Sequence, residues 1–181
     1  MRRFAALFTF LLVLPLAAQA ASIVAWDIPT ITAHSTHVVE AVVEAVAYEP
    51  VEGGIQTRNT LRVERYLVGS GPDRIDVLQA GGRLDEHEIV VSGDLRLQAG
   101  QRTLLFLREG PGPELFSTLL GWSAFTIDGA GPDAPVSRQV DGLATFTVND
   151  AGLLVPIEPG SVPTPTTLGA LRTAVIAEAS R

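Results

Sequence analysis

The chain has 181 residues, of which 46% are hydrophobic and 18% charged, with 13 basic and 20 acidic side chains. Every basic side chain is an arginine, and cysteine is absent. These counts exclude a disulfide framework, a thiolate metal site, a cysteine nucleophile, a lysine Schiff base and a Ser–Lys dyad.

The chain opens on a cationic Met1-Arg2-Arg3, followed by an apolar run from Phe4 to Leu16 and the small-residue box Ala18-Gln19-Ala20. That three-part pattern predicts a secretory signal peptide over residues 1–20, cleaved after Ala20. The apolar run falls short of the about 20 residues that span a bilayer, and an uncleaved membrane anchor is the alternative reading. Cleavage leaves 11 arginines against 20 acids, a net charge of −9. Such a charge repels phosphate backbones and anionic lipid, so nucleic acid and the membrane surface are disfavoured as partners. The mature chain is expected in the periplasm or outside the cell, with no membrane span. It can bury about 70% of its unfolded surface, so it needs no disulfide to fold.

Val38 to Tyr48 carries two patterns. Val39, Val42, Val43 and Val46 form a helical stripe, while alternation puts Val39, Ala41, Val43, Ala45 and Ala47 on one face and Glu40 and Glu44 on a wet face. Five valines in eleven residues favour a strand, because branching at Cβ suits a pleated surface. Gln56 to Val68 alternates as a half-buried strand. Gly69-Ser70-Gly71-Pro72 makes a turn, since Gly and Pro supply dihedrals that other residues resist. Ile75, Val77 and Gln79 form a short strand ending at Gly81-Gly82, and Glu88 to Val91 a further one. Arg102 to Arg108 is an apolar run between charged ends, the mark of a strand buried on both faces. Leu115 to Ile127 is β-prone, with Gly121 as a bulge or bend. Leu143 to Val148 and Leu153 to Ile157 flank the hairpin signal Asn149-Asp150-Ala151-Gly152. Thr166 or Thr167 caps a helix with the stripe Leu168, Leu171, Val175 and Ile176.

Seven or eight strands and one terminal helix predict a mainly β fold, a small OB-like barrel or sandwich over residues 21–162. The amphipathic helix, over 163–181, would dock on it as a lid.

Four features carry recurring spacing: the Val-rich Val38–Val46; Thr60-Leu61-Arg62-Val63-Glu64-Arg65 with Gly69; Gly81-Gly82; and Gly100-Gln101-Arg102-Thr103-Leu104-Leu105-Phe106-Leu107. On these the stretch from His37 to Leu107 resembles a family of uncharacterised bacterial secreted proteins, about half of the mature chain. The resemblance implies an OB-like barrel, similar to the netrin-type module of tissue inhibitors of metalloproteinases, and brings no catalytic residue. The inhibitory netrin module relies on an N-terminal cysteine over zinc, held by disulfides. A chain without cysteine cannot use that mechanism.

Candidate chemistry is sparse. His34-x-x-His37 with Glu40 would make a metal site on a helix, where i and i+3 share a face, but not on a strand, where they oppose. His87, in Asp85-Glu86-His87-Glu88, reads as a solvated acidic turn or a hard-cation site without EF-hand spacing. Ser92-Gly93-Asp94 and Trp122-Ser123-Ala124 lack a nucleophile elbow, and neither GxGxxG nor a P-loop occurs. No catalytic, cofactor or metal residue is therefore assigned. Trp26 and Trp122 are expected in the core, with a binding surface as the alternative. The expected function is a non-catalytic binding module, with protease regulation as a narrower version. Its ligand, a protein or polymer, would meet a barrel face or the loops around Gly81–Gly93 and Gly110–Pro113. The rival is a small secreted hydrolase or metal-dependent enzyme built on His34, His37 or His87 with nearby carboxylates.

Overall fold

The computed structural model describes residues 20–181, so the leader expected over residues 1–20 lies outside the described residues except for Ala20. Strand makes up 47% of the structure and helix 15%, and the fold is mainly β. At its centre five strands close a ring. They are β2 (His37–Val51), β3 (Gly54–Val68), β4 (Arg74–Ala80), β7 (Arg102–Glu109) and β8 (Leu115–Ser117). The ring runs β2-β3-β4-β8-β7 and back to β2. Every pairing in it is antiparallel except β4 with β8, where Val77 faces Leu115. This is the barrel order of an OB fold, counting its five strands 1-2-3-5-4-1. Two further strands, β9 (Ala124–Ile127) and β10 (Val136–Arg138), extend the sheet outward from β7.

The valine run is a strand, as its branched side chains favour. Its pairing with β3 carries three register shifts, between Val38 and Val39, Glu40 and Ala41, and Val43 and Ala45. Extra residues in one strand raise its twist, and a sheet must coil to close. β2 and β3 are each 15 residues long, whereas β7 reaches only from His37 to Val42 of β2. Past Val43 the β2–β3 pair continues as an arm, in which β3 keeps β4 paired beside it from Leu61 to Gln56.

The strand β7 divides the core. Leu105 and Leu107 point inside the ring with Val39, Ala41, Val43, Leu61 and Val77. Leu104 and Phe106 point outside, against Val38, Phe125 and the helices. Both faces are covered, which is why Thr103 to Leu107 is buried without a break. Burial of each large side chain contributes about 1.5–3 kcal/mol, so these two clusters supply the main driving force of the fold.

The outer cluster is roofed by two helices. α1 (Ile28–Ala33) starts at Asp27, whose Oδ1 accepts from the Thr30 amide at 2.9 Å, and buries Ile28 and Ile31. α2 (Leu168–Ala179) is capped by Thr167 and buries Leu168, Leu171 and Val175 against α1 and β3. Ile176, expected on the same stripe, is 48% exposed. α2 is fastened by Arg172, whose Nε and Nη2 reach Glu40 Oε1 and Oε2 at 2.6 and 2.5 Å. Glu40 is 1% exposed. The wet face expected for it is therefore corrected: strand alternation puts Glu40 outside the ring, and the helix covers it there. Glu44 keeps an accessible side chain and pairs with Arg74 at 2.7 Å.

A smaller sheet stands beside the ring. In it β1 (Ala21–Val24) pairs in parallel with β11 (Leu143–Val148), which pairs with β12 (Leu154–Pro156). A hairpin of β5 (Gly82–Leu84) and β6 (His87–Ile89) lies against the arm. The bend expected at Gly121 separates β8 from β9. There Leu120 has φ +47° and the Leu119 amide donates to Ser123 Oγ.

Candidate functional site

The inward positions of β3 read Leu61, Asn59, Thr57 towards the arm, so the ring interior turns from apolar to polar at one mouth. These polar groups are buried and therefore need partners. Thr57 Oγ1 donates to the Gly81 carbonyl at 2.7 Å. Asn59 Nδ2 donates to the Val77 carbonyl at 3.2 Å and to Gln79 Oε1 at 2.9 Å. Gln79 Nε2 in turn donates to the Leu95 carbonyl at 3.1 Å. The segment after β6 crosses this mouth, with Leu95 and Leu97 plugging the ring interior.

Two glycines pin that segment by letting chain segments approach closely. The Gly121 amide donates to the Gly93 carbonyl at 2.8 Å. A Cβ on Gly121 would lie 2.9 Å from that oxygen, and one on Gly93, at φ +72°, would lie 2.3 Å from Leu143 Cδ2. Both positions exclude a larger residue. Gln139 clamps the same segment at Arg96. Its Oε1 accepts from the Arg96 amide at 3.0 Å and its Nε2 donates to the Arg96 carbonyl at 3.1 Å.

Two grooves open on either side of the pinned segment, of about 450 and 490 Å³, and share Asp94, Arg96 and Gln98 in their walls. A third cleft also ends at Asp94. Burial raises the Asp94 carboxyl above the usual carboxylate range, against the hydrogen bond its Oδ1 accepts from the Leu95 amide at 2.7 Å. No salt bridge among the described residues neutralises it.

The sign of that shift has a stability consequence. A carboxyl harder to ionise when folded weakens the fold above its folded pKa, and the penalty vanishes below the unfolded value of about 3.9. Asp94→Asn, which keeps the acceptor, is expected to raise Tm at pH 7. The gain should shrink as pH falls towards 4. Thermal melts at several pH values check this, and an equal or lower Tm at pH 7 would contradict the assignment.

The three histidines occupy different surroundings. His34 caps the end of α1, its Nδ1 2.8 Å from the Thr30 carbonyl oxygen and its ring 4.4 Å from that of Trp26. His37 begins β2, with Nδ1 3.0 Å from Thr36 Oγ1 and its ring edge-on to Tyr66. His87 is exposed in the β5–β6 hairpin beside the exposed Asp85, Glu86 and Glu88. Among the described residues no group of three or more His, Asp or Glu side chains is placed to hold a metal ion. The turn between α1 and β2 separates the pair that a helix would have joined. Ser123 is fully buried and serves the turn before β9.

Of the two expected loop regions, Gly81–Gly93 contributes to the first groove. The Gly110–Pro113 region lines a separate cleft with His37 and Tyr66. The amide side chains of the mouth escaped notice in the sequence. The available signal was polarity at inward strand positions, at Asn59 after Leu61 and at Gln79 after Val77.

In comparisons with known proteins, no family model matches the chain and no curated protein matches it.

Proposed function

We propose that this protein is an exported, non-catalytic binding module of the bacterial envelope or secreted space, which receives its ligand in the two grooves that share Asp94. The observation that carries the reading is the placement of Asp94. A carboxylate held against its own solvation, where three clefts meet, is a stability cost of the kind found at functional sites. The rigid setting supports it, because residues 93–97 are fixed by glycine contacts and by the Gln139 clamp, and a preorganised wall loses little entropy on binding. Export rests on the leader pattern of residues 1–20.

The test places a photo-crosslinking residue at Arg96, which is exposed in both groove walls, and a control at the exposed Leu154 of β12. After irradiation in envelope extract, adducts are expected from position 96 and not from 154. Adducts from 154 alone, or from neither, would overturn the proposal.

A further inference from the structure

Resting on that reading, we infer that the ligand is a neutral, hydroxyl-rich chain, an oligosaccharide, held by an array of side-chain amides along the two grooves. Five amides line the grooves: Asn59, Gln79, Gln98, Gln101 and Gln139. Four of them are oriented by the protein itself. Besides the Asn59–Gln79 pair and the Gln139 clamp, Gln101 Oε1 accepts from the backbone N–H of Gln98 at 3.0 Å and Gln101 Nε2 donates to Thr126 Oγ1 at 3.0 Å.

An amide carries two donor hydrogens and two acceptor lone pairs, and these bonds leave part of that capacity unused. Asn59, 1% exposed, gives both its amide hydrogens to Val77 and Gln79 and has no partner for Oδ1 among the described residues. Gln79, Gln101 and Gln139 are thus fixed groups that can both give and receive. A ligand hydroxyl likewise both donates and accepts, so a sugar chain matches them group for group. Tyr48, 46% exposed at the rim of the first groove, offers a ring face to the apolar side of a sugar.

The alternatives fit less well. A polyanion meets two arginines in these walls, Arg83 and Arg96, on a chain of net negative charge. An apolar ligand would leave the amides desolvated without partners.

The experiment uses the mature chain, isotope-labelled, and follows backbone and side-chain amide NMR signals during titration with chitohexaose and with cellohexaose. An uncharged eight-residue peptide of serine, threonine and valine is a parallel arm. The inference expects at least one sugar to shift the side-chain amide signals of Gln98 and Gln139 and the backbone of residues 94–98, at sugar concentrations of about 1 mM. Gln98→Leu alters an exposed side chain that bonds to nothing among the described residues. It should weaken the response about tenfold while leaving the rest of the spectrum in place. No shift with either sugar, shifts outside the grooves, or an undiminished response in Gln98→Leu would overturn the inference. Shifts with the peptide alone would also overturn it, while leaving a binding groove at Asp94. Crosslinks at position 96 without a sugar response separate failure of this inference from failure of the binding reading, which a blank at 96 removes.

Discussion

Replacing Arg172 or Glu40 singly with alanine is expected to cost about 3–5 kcal/mol, because either change leaves its partner charged and poorly solvated. The two carboxylate oxygens of Glu40 meet two guanidinium nitrogens of Arg172 in a two-pronged bond, and Glu40 is almost wholly enclosed. The hydrogen bonds to Glu40 raise the Arg172 pKa above its ordinary value, so the guanidinium stays charged throughout the neutral range. Arg102 Nη2, 3.7 Å from Glu40, keeps a weaker ion pair with it when Arg172 is removed, while Arg102 Nε stays engaged with Glu64 at 2.7 Å. Replacing both residues, with Glu40→Leu and Arg172→Met, should restore stability to within about 1–2 kcal/mol of the parent, since a buried pair and an apolar pair of similar volume are often equivalent. Urea unfolding of the three variants checks this. A single variant that loses under about 1 kcal/mol would show that the pair does not hold α2.

Trp122→Ala should be as damaging, at about 3–5 kcal/mol, and should lower Tm by roughly 10 °C or more. The indole is fully buried in the outer cluster, and its Nε1 donates to the Trp26 carbonyl at 2.8 Å. It also supports Arg138, whose guanidinium carbon sits 4.1 Å from the indole centroid and 4.8 Å from that of Phe125. Arg138 needs that support. Burial lowers its pKa to about 10, and its Nε and Nη2 are enclosed without hydrogen-bond partners among the described residues. The ring faces supply the attraction that an anion would otherwise provide. Trp122→Phe should retain most of the packing and lose about 1–2 kcal/mol through the missing N–H and the smaller face. Denaturation followed by the fluorescence of Trp26 distinguishes these outcomes. Equal losses for Ala and Phe would mean that the indole N–H, rather than packing, is the decisive contact.

The ring was legible where one physical preference ruled a segment. Five valines settled β2 against its helical spacing, and the unbroken run Thr103–Leu107 announced a strand covered on both sides. The Asn-Asp-Ala-Gly turn between β11 and β12 was equally plain. Segments that depend on distant partners were not legible. β1 exists because β11 lies beside it, and β10 because β9 does. The helix α1 is only six residues long and depends on its Asp27 cap and two buried isoleucines, too little for periodicity to reveal. Glu40 was misplaced for a related reason. Alternation tells which side of a strand a residue takes, but not whether a helix from the far end of the chain will roof it. The groove was legible only in outline. The Gly81–Gly93 region pointed to it, yet its amides come from four separate stretches that only the closed ring assembles.

The parallel pairing of Ala21–Val24 with Leu143–Phe146 sets an order of assembly. The segment Ala21–Val24 must wait for a neighbour made about 120 residues later. Contacts so far apart in sequence form slowly. The small sheet therefore completes late, and until then its first strand is a raw edge offered to any other extended chain.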